Sequence, residues 1–342
     1  MSGAGDLRAR AAAHLAALSR WRPAEFAFWA AAAAALFLFP ERSLLLSEIF
    51  ITGLFALSLD LILGYAGILS LGHAAFFGLG AYVAGIATLN GLTEPVLGLA
   101  LAWAVATALG FASSFLVLRG SDLTRLMVTL GVALVLYEVA NRMAWLTGGA
   151  DGLQGMEVGP ILGLFEFDLA GEVAAAYSLA VLFLAFLLVR RLVHSPFGWS
   201  LRAVKGNSLR TAAIGIGVNA RLVAAYIVGA GLAGIAGALL AQTTQFVSLD
   251  VLAFHRSADV LLVLVIGGVG WLYGGLVGAV VFKLMQDALA SITPQYWQFW
   301  IGLVLVALVL VGRERISGFG RRLFRRRGRG AGSAAAVPEA AE

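Results

Sequence analysis

The sequence predicts an all-α polytopic integral membrane protein with about eight to ten membrane segments, some of them broken or re-entrant. Three observations carry that prediction. Hydrophobic residues make up 61% of the 342 positions and charged residues only 13%, where a soluble domain has roughly a quarter charged, and mean hydropathy is +0.91. The apolar residues fall into runs close to the roughly 20 needed to cross a hydrocarbon layer. The arginines and lysines cluster between those runs, as an orientation signal does, so the net charge of +5 points to membrane topology and away from nucleic acid.

In chain order, residues 1–23 are polar and carry Arg8, Arg10, Arg20 and Arg22, and Ala24–Phe39 is a first, short apolar run that stops at Pro40. A cleaved secretory signal is the lesser reading, because a long basic lead precedes the apolar part. The next runs are Leu44–Gly64, Ile68–Leu89 and Pro95–Leu118; after the basic turn Arg119–Arg125 comes Leu126–Leu146, with Glu138 and Asn141 on one helix face. The loop 147–172 holds five acids and no Lys or Arg. Val173–Val189 leads into a segment, 190–221, with six basic residues and no acid. Leu222–Leu240 is followed by about 33 residues, Ala258–Ala290, interrupted at Gly267–Gly275, so that each half is too short for an ordinary span. Trp297–Val311 is the last apolar run, and the tail from 313 to 342 opens with eight arginines and ends in small residues typical of disorder.

The positive-inside rule puts the N-terminal segment, the 119–125 turn, the 190–221 loop and the tail in the cytoplasm, and the acidic loop 147–172 outside. Both termini are then cytoplasmic, and Ala258–Ala290 must leave and return to the outer face. Backbone broken by glycine is tolerated at membrane depth only where protein or a water-filled cavity surrounds it. The expected organisation is an N-terminal segment 1–23, a membrane domain 24–312 and a basic tail 313–342.

Several chemistries are excluded by pattern. Cysteine is absent, which removes disulfides and thiolate chemistry. The sequence has no G-x-x-x-x-G-K-S/T phosphate loop, no H-E-x-x-H metal motif and no G-x-S-x-G elbow. What it has instead is stripes of small residues (Gly229, Ala233, Gly237, Ala241; Gly270, Gly274, Gly278), which let helix backbones touch. Ionisable groups also sit in apolar runs: Asp60, His73, Glu138, Lys283 and Asp287. Asp60 and His73 are read equally as packing groups or as the lining of a path, and Lys283 with Asp287, four apart, as an internal ion pair. Between Pro196 and Gly217 the basic segment reads as an ordered helix, Trp199–Ile214, stopped by Gly215 and Gly217, and as a docking element for a cytoplasmic partner.

Four stretches together resemble the inner-membrane permease subunits of branched-chain amino acid ABC importers. Leu59–Tyr82 (LDLILGYAGILSLGHAAFFGLGAY) is similar to that family's signature, with Asp60 where asparagine is usual. Thr147–Met156 (TGGADGLQGM) resembles its external loop. Ser195–Ile216 resembles its cytoplasmic coupling region, with Gly206, Ser208 and Ala212 where acids are common. Val265–Val280 resembles its late glycine motif, with Gly275 in place of proline and Trp271 in place of a smaller residue.

The resemblance implies a transporter subunit that is not itself an enzyme and binds no cofactor directly. ATP would be used by two ATP-binding cassette subunits. A second homologous permease would complete the path, and an extracytoplasmic solute-binding protein would deliver branched-chain amino acids or related solutes (urea, short amides and aromatic acids are alternatives) across a bacterial inner membrane. It further implies translocation-path candidates Asp60, Gly64, Tyr65, Gly67, Ser70, Gly72, His73, Phe76, Phe77, Gly267, Gly268 and Gly270. The ATPase-coupling candidates are Pro196, Gly198, Arg202, Ala213, Gly215 and Ile216, and the external-loop candidates are Gly148, Gly149, Asp151 and Gly152. An ion-coupled secondary transporter is the competing reading, since broken helices with midplane charges describe that class too.

Overall fold

The computed structural model describes residues 21–306 apart from 121, 169, 293, 297, 298, 304 and 305. The N-terminal segment up to residue 20 and the expected basic tail lie outside the described residues. So does most of the last apolar run, of which 299–303 are helical. Among the described residues there is no strand, only isolated bridges at Leu153–Val247 and Ile161–Phe165. The chain is an all-α membrane protein.

The helices are α1 (Pro23–Leu38), α2 (Ser43–Asp60), α3 (Ala74–Leu89), α4 (Pro95–Val117), α5 (Asp122–Arg142) and α6 (Glu172–Val193). There follow α7 (Pro196–Gly206), α8 (Ser208–Ala213), α9 (Val218–Thr244), α10 (Phe254–Gly267) and α11 (Gly274–Ile292). Six helical stretches are long and apolar enough to cross a membrane: 40–65, 95–117, 122–142, 172–193, 218–244 and 274–292; α1 and α3 are shorter apolar helices. Local chemistry sets several of the starts. Pro23, Pro95 and Pro196 stand in the first turns of α1, α4 and α7, where no intrahelical N–H is needed. The Glu94 carboxylate accepts from Leu97 N at 3.2 Å and caps α4.

The core is built on α9. It packs along α3, α4 and α2, and α2 in turn packs along α6. Glycine makes the closest approaches possible. A methyl group on Gly80 would strike the backbone of Gly234, and one on Gly237 would strike the carbonyl of Phe77, so the small-residue stripe of α9 is packing surface against α3. Some polar contacts tie helices together near their ends. Gln242 of α9 donates to Pro95 O at 2.8 Å and accepts from the Tyr177 hydroxyl at 3.2 Å, joining α9, α4 and α6. Arg190 of α6 pairs with Glu25 of α1 and covers the Trp21 ring at 4.0 Å.

The structure corrects four sequence expectations. The third apolar run is helical only from Ala74; residues 67–72 are irregular. The helix expected over Trp199–Ile214 is two helices. Asn207 has extended backbone (φ −160°, ψ 104°), and its Oδ1 accepts from Arg210 N at 2.9 Å, so an asparagine cap starts a new helix where continuation was expected. The second half of the broken region is no short stub: α11 runs 19 residues, and only α10, with 14, is short. Lys283, expected to pair with Asp287, donates from its ammonium to Glu48 of α2 at 2.9 Å. The glycine break itself is where the sequence puts it, between α10 and α11. The chain divides into two compact units between Lys283 and Leu284; the site described next belongs to the first.

Candidate functional site

Two breaks in membrane-depth helices meet in space. The first follows α2, where Leu61–Tyr65 forms a π-turn in which Ala66 N reaches back five residues to Leu61 O at 3.3 Å. Such wide turns leave backbone carbonyls off the helical ladder. Gly67 then takes a left-handed conformation (φ 75°), which directs the chain away from the helix. The second break joins α10 to α11, with Gly268 at φ 110° and Gly270 at φ 78°. It brings the two helices back against each other so tightly that a methyl on Gly278 would run into the carbonyl of Val263.

Asp60 ties the breaks together. Its Oδ1 accepts from Gly270 N at 2.7 Å, across 210 positions of sequence, while the side chain is almost wholly buried. Oδ2 has no hydrogen-bond partner among the described residues. The nearest compensating charge is Lys205 of α7, within Coulombic reach of Asp60, whose Nζ donates to the Gly64 carbonyl at 2.6 Å. Gly64 has no room for a side chain: a Cβ there would lie 2.7 Å from Gly270 N and inside the Asp60 carboxyl. One turn along α7, the Arg202 guanidinium lies over the Tyr65 ring at 5.2 Å and the Trp199 ring at 4.8 Å, a cation–π arrangement on the same turn of backbone. The junction therefore links three elements, the end of α2, the α10–α11 break and α7, through one buried carboxylate, one ammonium and bare backbone.

His73 belongs to a different neighbourhood. It is fully buried, stacked on Phe55 with ring centroids 5.4 Å apart and planes 6° apart, and edge-on to Phe76. Its Nε2 is 2.8 Å from Ser58 Oγ. Since the Ser58 hydroxyl donates to Phe55 O at 2.6 Å, the shared proton of the Ser58–His73 contact is placed on Nε2. Phe76 passes the contact on to Tyr226 of α9. Phe77, beside it, lies 4.5 Å from Phe55. Ser70 is buried, and Gly72 sits against the Thr129 carbonyl of α5 with no space for a methyl.

The expected path residues thus separate into two groups. Asp60, Gly64, Tyr65 and Gly270 converge on the junction. His73, Phe76 and Phe77 form an aromatic packet inside the helix bundle. Gly267 and Gly268 build the second break. The coupling candidates surround α7. Gly198 presses on the Val193 carbonyl, folding α7 back against the end of α6. Pro196 and Ile216, with His194, Trp199, Ser200 and Ala203, line a largely apolar groove of about 420 Å³. Gly215 is left-handed (φ 87°) in open space and Ala213 ends α8. The external-loop candidates lie elsewhere: Gly148, Gly149 and Gly152 have φ of 73°, 56° and 72°, Asp151 is exposed, and the loop is pinned by paired hydrogen bonds between Leu153 and Val247 at 2.7 and 3.2 Å.

Sequence reasoning missed Lys205, Thr129 and Ser257. Lys205 reads as one more basic residue of the loop; its spacing three positions after Arg202, on one helix face, was the available signal. Thr129 accepts from Leu71 N at 3.3 Å, and Ser257 accepts from Ala74 N at 2.9 Å, fixing the start of α3. Nothing local marks either residue. Among the described residues, no group of three or more acids and histidines could hold a metal ion.

The family model described as "Branched-chain amino acid transport system / permease component" matches residues 42–309. The high-affinity branched-chain amino acid transport system permease protein LivM of Escherichia coli (strain K12) is 26% identical over 282 residues, covering 74% of this chain and 64% of that protein. The protein of the same name from Salmonella typhimurium is 26% identical over 279 residues with the same coverage. This chain therefore spans about two thirds of the length of these relatives, 64% in each case. No solved structure matches it significantly.

Proposed function

This chain belongs to the branched-chain amino acid transport permease family, and from that premise we propose that it is the membrane-spanning subunit of an ATP-driven importer. It would pass branched-chain amino acids, or related small solutes, delivered by an extracytoplasmic binding protein. Two ATP-binding cassette subunits would supply ATP hydrolysis from the cytoplasmic side, and a second, homologous permease would complete the path. In this arrangement the α7–α8 end faces the cytoplasm of a bacterial cell and the 147–172 loop faces outward, the orientation the distribution of basic residues favours.

The observation that carries the reading is the reach of α7 into the bundle. Lys205 holds the Gly64 carbonyl at 2.6 Å, at the wide turn ending α2, and Asp60, four residues before Gly64, holds the α10–α11 break through Gly270 N. A push on α7 from a docked ATPase would be felt at both breaks without passing through a flexible loop. Two discrete arrangements of packed helices, biased by such a lever, are what alternating access needs.

The test is reconstitution of the assembled transporter with Lys205→Met. ATPase activity and solute capture persist, and uptake per ATP falls at least tenfold; unchanged uptake removes α7 from the coupling role. Reconstituted without its ATPases, the chain leaves solute outside the vesicle. Uptake by the chain alone on an ion gradient would instead support the secondary-transporter reading.

A further inference from the structure

Helix α1 contributes no buried residue to the bundle, yet one of its faces is aromatic and closely fitted. Glu25, Phe28, Trp29, Ala32, Ala35 and Leu36 are half-buried and the other residues of the helix are exposed. That spacing of three and four lays a single stripe against α6. Burial against neighbouring helices would need only apolar residues there. The stripe instead carries an acid and two large rings, and these reach two separate partners.

The first partner is the end of α6. Glu25 pairs with Arg190, whose side chain is only 9% exposed. Trp29 meets Phe183 and Phe186 edge-on, with ring centroids 4.8 and 5.0 Å apart. Arg190 lies three residues before Val193, on whose carbonyl Gly198 of α7 presses. The second partner is the α10–α11 break. Phe28 stands edge-on to Tyr273, centroids 5.4 Å apart and planes at 79°. Phe186 touches the same Tyr273 from α6 at 4.8 Å, so α1, α6 and the break share one aromatic packet. Tyr273 lies three residues after Gly270, the donor to Asp60, and directly before Gly274, where a methyl would strike the Gly268 carbonyl.

The packet is not fully satisfied. The Tyr273 hydroxyl has Trp29 and Glu25 as polar neighbours, but neither it nor Trp29 Nε1 has a hydrogen-bond partner among the described residues. Buried groups left unpaired favour any movement that pairs them, and one shift of α1 against the break would serve both.

We propose that α1 is a strap on the second break. Phe28 and Trp29 are positioning residues that hold Tyr273, and the Glu25–Arg190 pair transmits the position of the α6 end, beside α7, to the same place. This connection between the coupling end and the break does not pass through Lys205 or Asp60. Its consequence for uptake rests on the transport reading above; its geometry does not.

The strap is tested first by hydrogen exchange, which reports local opening and needs no transport. In the assembled transporter, Phe28→Ala is expected to speed exchange of the amides at 268–273 at least fivefold and to leave α9 unchanged. Phe37→Ala, on the outer face of α1 at 86% exposed, leaves both unchanged. Exchange at 268–273 that keeps the wild-type rate, or rises no more than in α9, overturns the strap. Glu25→Gln spares the rings and is the second variant should Phe28→Ala fail to fold; it is expected to speed the same amides at least threefold, and an unchanged rate overturns the proposal equally.

The positioning role is read in proteoliposomes as solute taken up per ATP hydrolysed. Both variants are expected to lower that ratio at least fivefold with ATPase activity within twofold of wild type, and Phe28→Leu, which keeps an apolar body against Tyr273, to restore at least half of it. An unchanged ratio, or uptake and ATPase activity lost in parallel, makes α1 a packing element and overturns the role. No ATP-driven uptake by the wild type, or uptake on an ion gradient alone, counts against the transport reading instead, and the exchange rates then decide the strap by themselves.

Discussion

Asp60 and His73 lie 13 positions apart in one glycine-rich stretch, and in the folded chain they do unlike things. His73 is held from close by, with Ser58 one helix away, Phe55 under the ring and Phe76 against its edge, and its Nδ1 has no hydrogen-bond partner among the described residues. Its surroundings come from α2 and the start of α3, so removing it leaves a hole. Asp60 reaches a backbone N–H 210 positions away and stands beside a lysine from a third element. Removing it unties two broken segments. A buried polar group held by its own neighbourhood is a packing device; one held by a distant break is a joint. Burial alone does not separate the two, since both are almost completely enclosed.

Substitutions can break this contrast or sharpen it. The largest effect is expected from Gly64→Ala, whose methyl has nowhere to go between the Asp60 carboxyl and Gly270 N. Overpacking of this kind costs roughly 3 kcal/mol. It should lower both the thermal midpoint of the purified protein and the recovery of assembled transporter, and a normal midpoint would show the junction to be looser than the geometry indicates. His73→Ala comes next, at roughly 2 kcal/mol from the cavity and the lost hydrogen bond. Its signature is a lower midpoint with uptake per folded transporter within twofold of wild type. A selective loss of uptake would move His73 from packing to the path.

Asp60→Ala and Asp60→Asn form the sharper pair. Alanine strands the Gly270 N–H, a penalty of about 1–2 kcal/mol, and should reduce uptake more than it reduces the midpoint. Asparagine keeps an acceptor at the same place and is expected to retain most of the uptake, since the joint needs an oxygen and not a charge. Failure of the asparagine variant would assign the charge itself, with Lys205, a role. Glu138→Gln should do least. Glu138 forms an exposed i, i+4 pair with Arg142 at 2.6 Å, and exposed pairs contribute little, so neither midpoint nor uptake should change measurably.

Much of the fold was legible because membrane helices announce themselves. The apolar runs, the break after Gly267 and the start of α4 at Pro95 all follow from local composition and from what glycine and proline do to backbone. Asn207 shows the limit. Its power to start a new helix was written in the residue type, yet the run between the turn at Pro196 and Gly198 and the stop at Gly215 read as one continuous helix. Lys283 shows another: i, i+4 spacing suggested Asp287, whereas α11 packs so that the ammonium meets Glu48.

By itself the sequence determined a helical membrane protein, its glycine breaks, a candidate orientation and the family to which its motifs belong. These are consequences of solvent preference and backbone freedom, which act residue by residue. Only the tertiary structure decided that the two breaks touch, that Lys205 of α7 reaches the first of them, and that His73 is sealed in an aromatic packet. Those contacts join residues more than a hundred positions apart, or depend on which face of a helix is covered. A polar group in an apolar run carries the cost of its burial in the sequence, but not the identity of the partner that offsets it.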